Sequence, residues 1–352
     1  MLNNFTLIIP THNRHKFLAR LLDYYCNFDV NFNIVVIDSS ENKFEGFPKI
    51  KEFKYEHHPN MPFIKKIHLI LGKIETKFSA LCADDDFMIP SGINKCCEFL
   101  HNNYDYVSAQ GRTVRFENLD PILYKSDEIN TKDISFEKCE DRIYYGIVEN
   151  YTQTFYSVYK TKTLNNIFLH ALNINYHLIE KYITITAHLY GKHKVVPYFY
   201  YAREENSISE GKHTVGIEQI VVYQKNKYHK DYNYFLENIS YIMRDCGNNE
   251  ASINKNFISE IINQYLLNFD RLIFSHKESN QTFTIIKITL MKYFLKVISL
   301  LRNTKKEERI QRKESKIFID NVNKIEGYPF NNKIGKENLK EIGHYVKKHS
   351  VV

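Results

Sequence analysis

Three short apolar runs, each ending abruptly in a polar cluster, constrain the fold more than any other feature of the chain. Phe5–Pro10 (FTLIIP) gives way to Thr11-His12-Asn13-Arg14, Asn33–Asp38 (NIVVID) to Ser39-Ser40, and Phe78–Ala83 (FSALCA) to Asp84-Asp85-Asp86. Continuous apolar runs of this length read as strands buried on both faces. Between them, Phe17–Tyr25, Phe63–Leu71 and Ile93–Leu100 carry apolar residues at helical spacing, Phe53–Glu56 reads as a weak strand, and Tyr106–Val114 as a further one. Strand-helix alternation with right-handed crossovers builds a mostly parallel, Rossmann-like sheet flanked by helices. Ligands of such sheets bind at the carboxyl ends of the strands. The three polar clusters should therefore meet along one edge, and that edge is the candidate site.

The remainder is less regular. Tyr151–Tyr159 alternates like a strand, Ile179–Leu189 is helical, and Lys194–Tyr201 is a strand containing a Pro. Residues 203–216 (REENSISEGKHTVG) read as a polar loop, and the pattern beyond Ile217 is mainly helical, with an amphipathic stretch at Ile258–Ile273. At roughly 150 residues per domain, 352 residues suggest two. The expected division is a catalytic α/β domain over 1–216 and a basic helical domain over 217–352. With 43% hydrophobic and 25% charged residues, a wholly disordered or collagen-like chain is excluded.

Charge is unevenly placed. The 48 Lys/Arg and 41 Asp/Glu give +7, yet residues 281–352 hold 16 and 7 of these, leaving the first 280 residues with 32 and 34. The excess therefore says little about what the catalytic body binds. Thr284–Leu301 is apolar but broken by Lys287, Lys292 and Lys296, and Arg302–Lys316 carries seven basic and three acidic residues. This does not read as a membrane span. Residues 284–316 suit either peripheral attachment to an anionic membrane or a packed helix with its lysines turned to solvent, the second slightly favoured. Nucleic acid is not expected, because no recognition motif accompanies the charge. The six cysteines show no metal-type spacing and read as buried, reduced thiols; with no signal peptide at the N-terminus, a cytoplasmic setting follows, with docking at the inner membrane as its variant.

The chemistry concentrates in Cys82–Phe87 (CADDDF). Three adjacent carboxylates repel one another unless a cation offsets them. Hard oxygen donors suit Mg²⁺ or Mn²⁺, which commonly bridge to substrate phosphates. In an extended segment Asp84 and Asp86 would share one side and Asp85 take the other.

The ordered set FTLIIPTHNR, VVIDSS and CADDDF, followed by YSVYKTKTL and then E…GK…P…Y…R, resembles the GT-A glycosyltransferases of the family-2 type, closest to a bacterial surface-glycan subgroup. These pieces run from Phe5 to Arg203, a little over half the chain. The resemblance implies a GT-A fold and a nucleotide-sugar donor, with UDP- or GDP-sugars favoured. Pro10, Thr11 and Arg14 would lie against the nucleoside, Asp38 would bond the base, and Lys66 (or its neighbour Lys65) would approach the diphosphate. Asp84 would contact ribose or metal, with Asp85 beside it on the donor side, and Asp86 would ligate the metal. Arg203, opening the polar loop, would close over the diphosphate, and His213 is a weaker third metal candidate.

An inverting transfer needs a general base for the acceptor hydroxyl. Glu180, at a helix start where the dipole keeps it ionised, is that candidate, with Glu149 in reserve. Lys181 stands where the family often has a second carboxylate. The absence of Trp removes the Gln-x-x-Arg-Trp element of processive synthases. The expected activity is non-processive transfer of a sugar to a hydroxyl of a bacterial surface glycan, free or lipid-linked. Two alternatives stand beside it: a metal-independent transferase using a CMP-sugar, and a catalytically silent assembly subunit that binds glycans or membranes.

Overall fold

The computed structural model describes residues 2–28, 30–47, 50–118, 122–127, 132–150, 152–205, 225–245, 255–274 and 333–349. The expectations for His213, the loop beyond Glu205, Cys246 and the segment 284–316 fall outside these residues.

The chain opens β1 (Phe5–Thr11), α1 (His15–Cys26), β2 (Asn33–Asp38), β3 (Phe53–His57), α2 (Phe63–Leu71) and β4 (Phe78–Leu81). All six elements were legible from the apolar patterning. They continue into β5 (Phe87–Met88), α3 (Pro90–Asn102), β6 (Tyr106–Glu117), β7 (Leu123–Asp127), α4 (Cys139–Tyr144) and a π-helical turn at Tyr145–Glu149. Next come β8 (Val158–Lys160), α5 (Thr161–His170), a 3₁₀ turn at Tyr176–Leu178, α6 (Ile179–Tyr190) and β9 (Lys192–Glu205). Among the described residues there follow three long helices: α7 (Lys225–Asp245), α8 (Lys255–Phe274) and α9 (Lys333–Lys348).

One sheet runs β3-β2-β1-β4-β8-β6-β9-β5, with β7 attached to β6. The first four strands are parallel, as the alternation requires. Beyond β4 the sheet is mixed: β8 is antiparallel to both β4 and β6, β6 and β9 are parallel, and β5 is antiparallel to β9. The α/β class stands. The strand expected at Tyr151–Tyr159 is a loop except for its last residues, held by Thr152 N–H to the Gly146 carbonyl at 2.9 Å and by the Ser157 hydroxyl to Gln110 Oε1 at 2.9 Å.

Register sets the site. Thr11 pairs with Asp38, and Asp38 with His57, so β1, β2 and β3 end level. In β4, Leu81 pairs with Ile8, and the Cys82 N–H continues to the Ile8 carbonyl at 2.9 Å. That offset delivers Asp84–Asp86 beside Thr11.

The sheet separates two apolar layers, and β1 feeds both, with Phe5, Leu7 and Ile9 on one side and Ile8 on the other. The first layer holds Leu18, Leu21, Tyr24 and Tyr25 of α1, Ile93, Cys96 and Cys97 of α3, and Ile342, Tyr345 and Val346 of α9. The second holds α2 with α4–α8. The described parts of 217–352 are thus helical and pack into both layers. Four of the described cysteines are buried, whereas Cys26, expected inside, is exposed at the end of α1. No helix among the described residues is long and apolar enough to cross a membrane.

Candidate active site

The turn after β1 places Asn13 at φ 54°, a left-handed conformation that Asn tolerates better than most residues. The turn is pinned to β2 by the Asn13 N–H to Ser40 Oγ at 2.7 Å. Asp38 is fully buried at the end of β2. Its carboxylate accepts from the Ser40 N–H at 2.7 Å, the Tyr55 hydroxyl at 2.7 Å and His15 Nε2 at 2.9 Å. Burial opposes its ionisation, but these bonds, led by those from Ser40, hold it below the usual carboxylate range. Asp38, expected to bond a base directly, is thus a buried hub that orients the partly exposed His15 ring and Tyr55.

The acidic triplet is a turn, not an extended segment, with the Asp86 N–H bonded to the Ala83 carbonyl at 3.2 Å. The alternation expected for it fails for that reason. Asp84 and Asp85 flank one cation, Arg14, with Asp84 at 3.2 Å, and Thr11 also donates to Asp84 at 2.7 Å. Arg14 lies over the Phe17 ring at 4.5 Å. Burial works against its charge, yet Asp84 and then Asp85 hold the guanidinium above its ordinary value. Asp86 turns the other way, toward β9, accepting from the Tyr201 hydroxyl and from the Glu204 N–H at 2.8 Å. Burial, then the charge of Asp85, pushes Asp86 up to about 8; burial, partly offset by Arg14, pushes Asp84 up to about 6. Beneath them Arg20 donates to the Asp85 carbonyl and to Glu204, a buried ion pair that ties α1 to both the triplet and β9.

Lys66 is buried rather than turned outward. Its ammonium donates to the Thr11 carbonyl at 2.7 Å and Ser39 Oγ at 3.0 Å, and burial lowers it to about 8 against the pull of Asp84 and Asp38. It therefore ties the ends of β1 and β2 together. Lys65 is exposed, and Pro10 lies half-buried at the end of β1.

Across the mouth, Glu180 is exposed in the first turn of α6. Its charge acts on Arg203, Tyr156 and Tyr176. Arg203, on β9, feels the charge of both Asp86 and Glu180. Burial lowers its charged form's stability, but Asp86 first and Glu180 among the others hold it above its ordinary value. With Tyr156, Tyr201, Gln110 and Gln153 it lines a small open pocket. Lys181, where the family often has a second carboxylate, instead lies over the Tyr265 ring of α8 at 4.5 Å. Glu149 is exposed at the end of the π-helical turn.

The structure thus brings together Thr11, Arg14, Asp84, Asp85, Asp86, Arg203 and Glu180, with Asp38 and Lys66 beneath them. Sequence reasoning missed His15, Arg20, Tyr55, Tyr156, Tyr201 and Glu204. Arg20 carried a signal, since it is a charge on the apolar face of α1 between Leu18 and Leu21; the others become visible only through strand pairing.

Among the described residues no group of three or more His, Cys, Asp or Glu side chains is arranged to hold an ion. Asp86 and Asp84 nevertheless offer hard carboxylate oxygens, and each oxygen that accepts one bond here keeps a second lone pair. A Mg²⁺-like ion needs only one or two carboxylates when substrate phosphates and water complete its shell. The oxygen chemistry suits such an ion, although Asp84 here faces Thr11 and Arg14 while Asp86 faces β9.

No protein-family model matches the chain, and no curated protein sequence does. Among solved structures, S. aureus TarS 1-349 is 14% identical with a TM-score of 0.43, covering 78% of this chain and 93% of that one. The same protein in complex with UDP-GlcNAc is 16% identical with a TM-score of 0.49, covering 98% and 87%. Its complex with UDP is 13% identical with a TM-score of 0.44, covering 78% and 93%.

Proposed function

We propose that the chain is a nucleotide-sugar-dependent glycosyltransferase that transfers one sugar per encounter, with inversion, to a hydroxyl of a surface glycan. The observation that carries this reading is the convergence of an acidic turn, Asp84–Asp86, with a carboxylate across the mouth, Glu180, and a cation, Arg203, that feels the charge of both. The motif resemblance supports the same assignment. Glu180 accepts the proton of the acceptor hydroxyl, and that oxygen attacks the anomeric carbon from the face opposite the leaving group. The bond from the anomeric carbon to phosphate oxygen breaks, and the nucleoside diphosphate departs with the electron pair. Arg203 is the chain's own cation for that developing charge. A bound Mn²⁺ or Mg²⁺, held by Asp86 and Asp84, would supply further charge neutralisation at the diphosphate. Thr11, Arg14 and the His15 ring that Asp38 orients line the side where the nucleoside would lie.

One observation favours a second reading. Arg14 already offsets two of the three carboxylates, as suits a donor handled without metal, such as a CMP-sugar. Calorimetric titration with UDP, GDP and CMP, each with and without Mn²⁺, separates the two. Binding of UDP or GDP that requires Mn²⁺ supports the first reading, metal-indifferent CMP binding supports the second, and no nucleotide binding removes both.

A further inference from the structure

A run of aromatic rings leaves the acidic mouth and passes Glu180. Tyr201, whose hydroxyl bonds Asp86, is stacked on Tyr156 with centroids 5.1 Å apart and planes 19° apart. Tyr156 meets Phe155 edge-on at 4.9 Å and 71°, Phe155 stacks on Phe63 at 6.1 Å and 21°, and Phe63 meets Tyr176 edge-on at 5.9 Å and 74°. Tyr201 is buried and forms the floor, the three middle rings are half-buried, and Tyr176 is 51% exposed. Large aromatic surface left open beside a reactive mouth needs an occupant.

We infer that this strip is an extended acceptor subsite that binds at least two consecutive sugar units by stacking them on Tyr176, Phe63 and Tyr156. The inference rests on the transferase reading of the same mouth. Three features select a saccharide. A pyranose has an apolar C–H face and a polar rim, and the strip offers ring surfaces whose inner end, at Tyr156 and Tyr201, is bordered by Gln110, Gln153 and Arg203. A lipid chain would find carboxylates at the strip's reactive end, where Asp86 lies against Tyr201 and Glu180 acts on Tyr156 and Tyr176. A polyanion such as nucleic acid would meet the same charges.

The platform is also rigid. The Tyr200 hydroxyl holds the Tyr156 carbonyl at 2.6 Å, and Asn175 Oδ1 caps the 3₁₀ turn through the His177 N–H at 3.0 Å. Tyr176 lies on the turn that runs directly into α6, so it and Glu180 belong to one piece of backbone. A sugar stacked on Tyr176 is thereby held at a fixed offset from the carboxylate that deprotonates its neighbour, which is how binding at a distance orients a reacting hydroxyl.

The test measures saccharide and nucleotide binding separately. Saturation-transfer NMR is run on the full chain with malto-, cello- and chito-tetraose and with the matching monosaccharides. UDP affinity is measured in the same samples with Mn²⁺. At least one tetraose is expected to bind more tightly than its monosaccharide. Tyr176→Ala should weaken it about tenfold, the factor that 1.4 kcal/mol produces, while Tyr176→Trp retains it. UDP affinity should be the same in all three proteins. Tetraoses that bind no better than monosaccharides, or a Tyr176→Ala variant with undiminished tetraose affinity, overturn the strip. Tetraose binding without any nucleotide binding would leave the strip standing and remove the transferase reading instead.

Discussion

Asp86 makes no ion pair among the described residues: Arg14 sits between its two neighbours in the acidic turn, whereas Asp86 accepts from a phenol and one backbone N–H and feels Arg203 only through its charge. An ion bound there relieves a strain the protein otherwise bears by protonation. Asp86→Ala should therefore abolish the Mn²⁺-dependent part of nucleotide affinity, read by calorimetry, while leaving the fold intact by circular dichroism. Glu180→Gln keeps shape but cannot take a proton, so turnover should fall at least a hundredfold with UDP affinity unchanged; full turnover would remove Glu180 as the base. Lys66 makes a contrasting case. It is committed to the Thr11 carbonyl and Ser39 Oγ, and Lys66→Met removes both charge-assisted bonds from a buried position, although the Thr11 carbonyl keeps the Ser39 N–H. A loss of roughly 1–3 kcal/mol in unfolding free energy is expected, visible in urea titration. The Asp triplet stood out as a candidate because consecutive carboxylates after an apolar strand have few structural uses, and Glu180 stood out through the motif resemblance and its place at a helix start. Tyr201 and Glu204 were not, since what makes them matter is a partner 115 to 118 residues away.

Among the elements, β9 does the most positioning. It presents Tyr201, Arg203 and Glu204 to the mouth and pairs with β5, so the acidic turn is clamped from its far end. Its length, 14 residues against the 8 expected between Lys194 and Tyr201, was hidden by the polar residues that end it, which read as loop but pair with the end of β6. Helix α3 seats on β9 through Gly92, where a Cβ would come within 2.2 Å of the Phe199 carbonyl oxygen and 2.8 Å of Tyr200 Cα. Both are backbone atoms and cannot turn aside. Gly92→Ala should thus cost about 1–3 kcal/mol and also weaken nucleotide binding by displacing the strand. A variant that loses stability but keeps full affinity would show that β9 tolerates the shift. The parallel half of the sheet was readable because its strands are buried on both faces; β8 was not, because it is three residues long and its alternation continues into a loop.

At the scale of the whole molecule, two sets of buried groups oppose each other in acid. Burial lowers His188 and His193 to about 3, against 6.5 for a free ring, so the unfolded chain takes up two protons that the native one refuses. That stability is present above pH 6.5 and is lost as the pH falls. Asp84 and Asp86 are raised instead, so the metal-free native state holds two protons that unfolded carboxylates near 3.8 do not, and stability from this source grows as the pH falls. Near pH 5 the two effects cancel. The metal-free protein should show a nearly flat denaturation midpoint between pH 4.5 and 5.5. In Asp84→Asn/Asp86→Asn the histidines act alone, and stability should fall by up to about 2.7 kcal/mol per pH unit. An equally flat variant would mean the rings are not neutral inside. None of this could be read from the sequence, where His188 and His193 are five residues apart with no sign that both turn inward.

The seating of α9 has a consequence for how the chain is made. Lys348 and His349 bond Asp23, Tyr345 packs edge-on against Tyr24 with centroids 5.7 Å apart, and Tyr124 donates to the Leu339 carbonyl. Part of the face of α1 therefore waits for a helix about 300 residues further along the chain. At about 5–20 residues per second, the apolar face of α1 stays partly uncovered until α9 has been synthesised. Nascent protein halted before residue 333 should be a chaperone client, whereas finished protein should not.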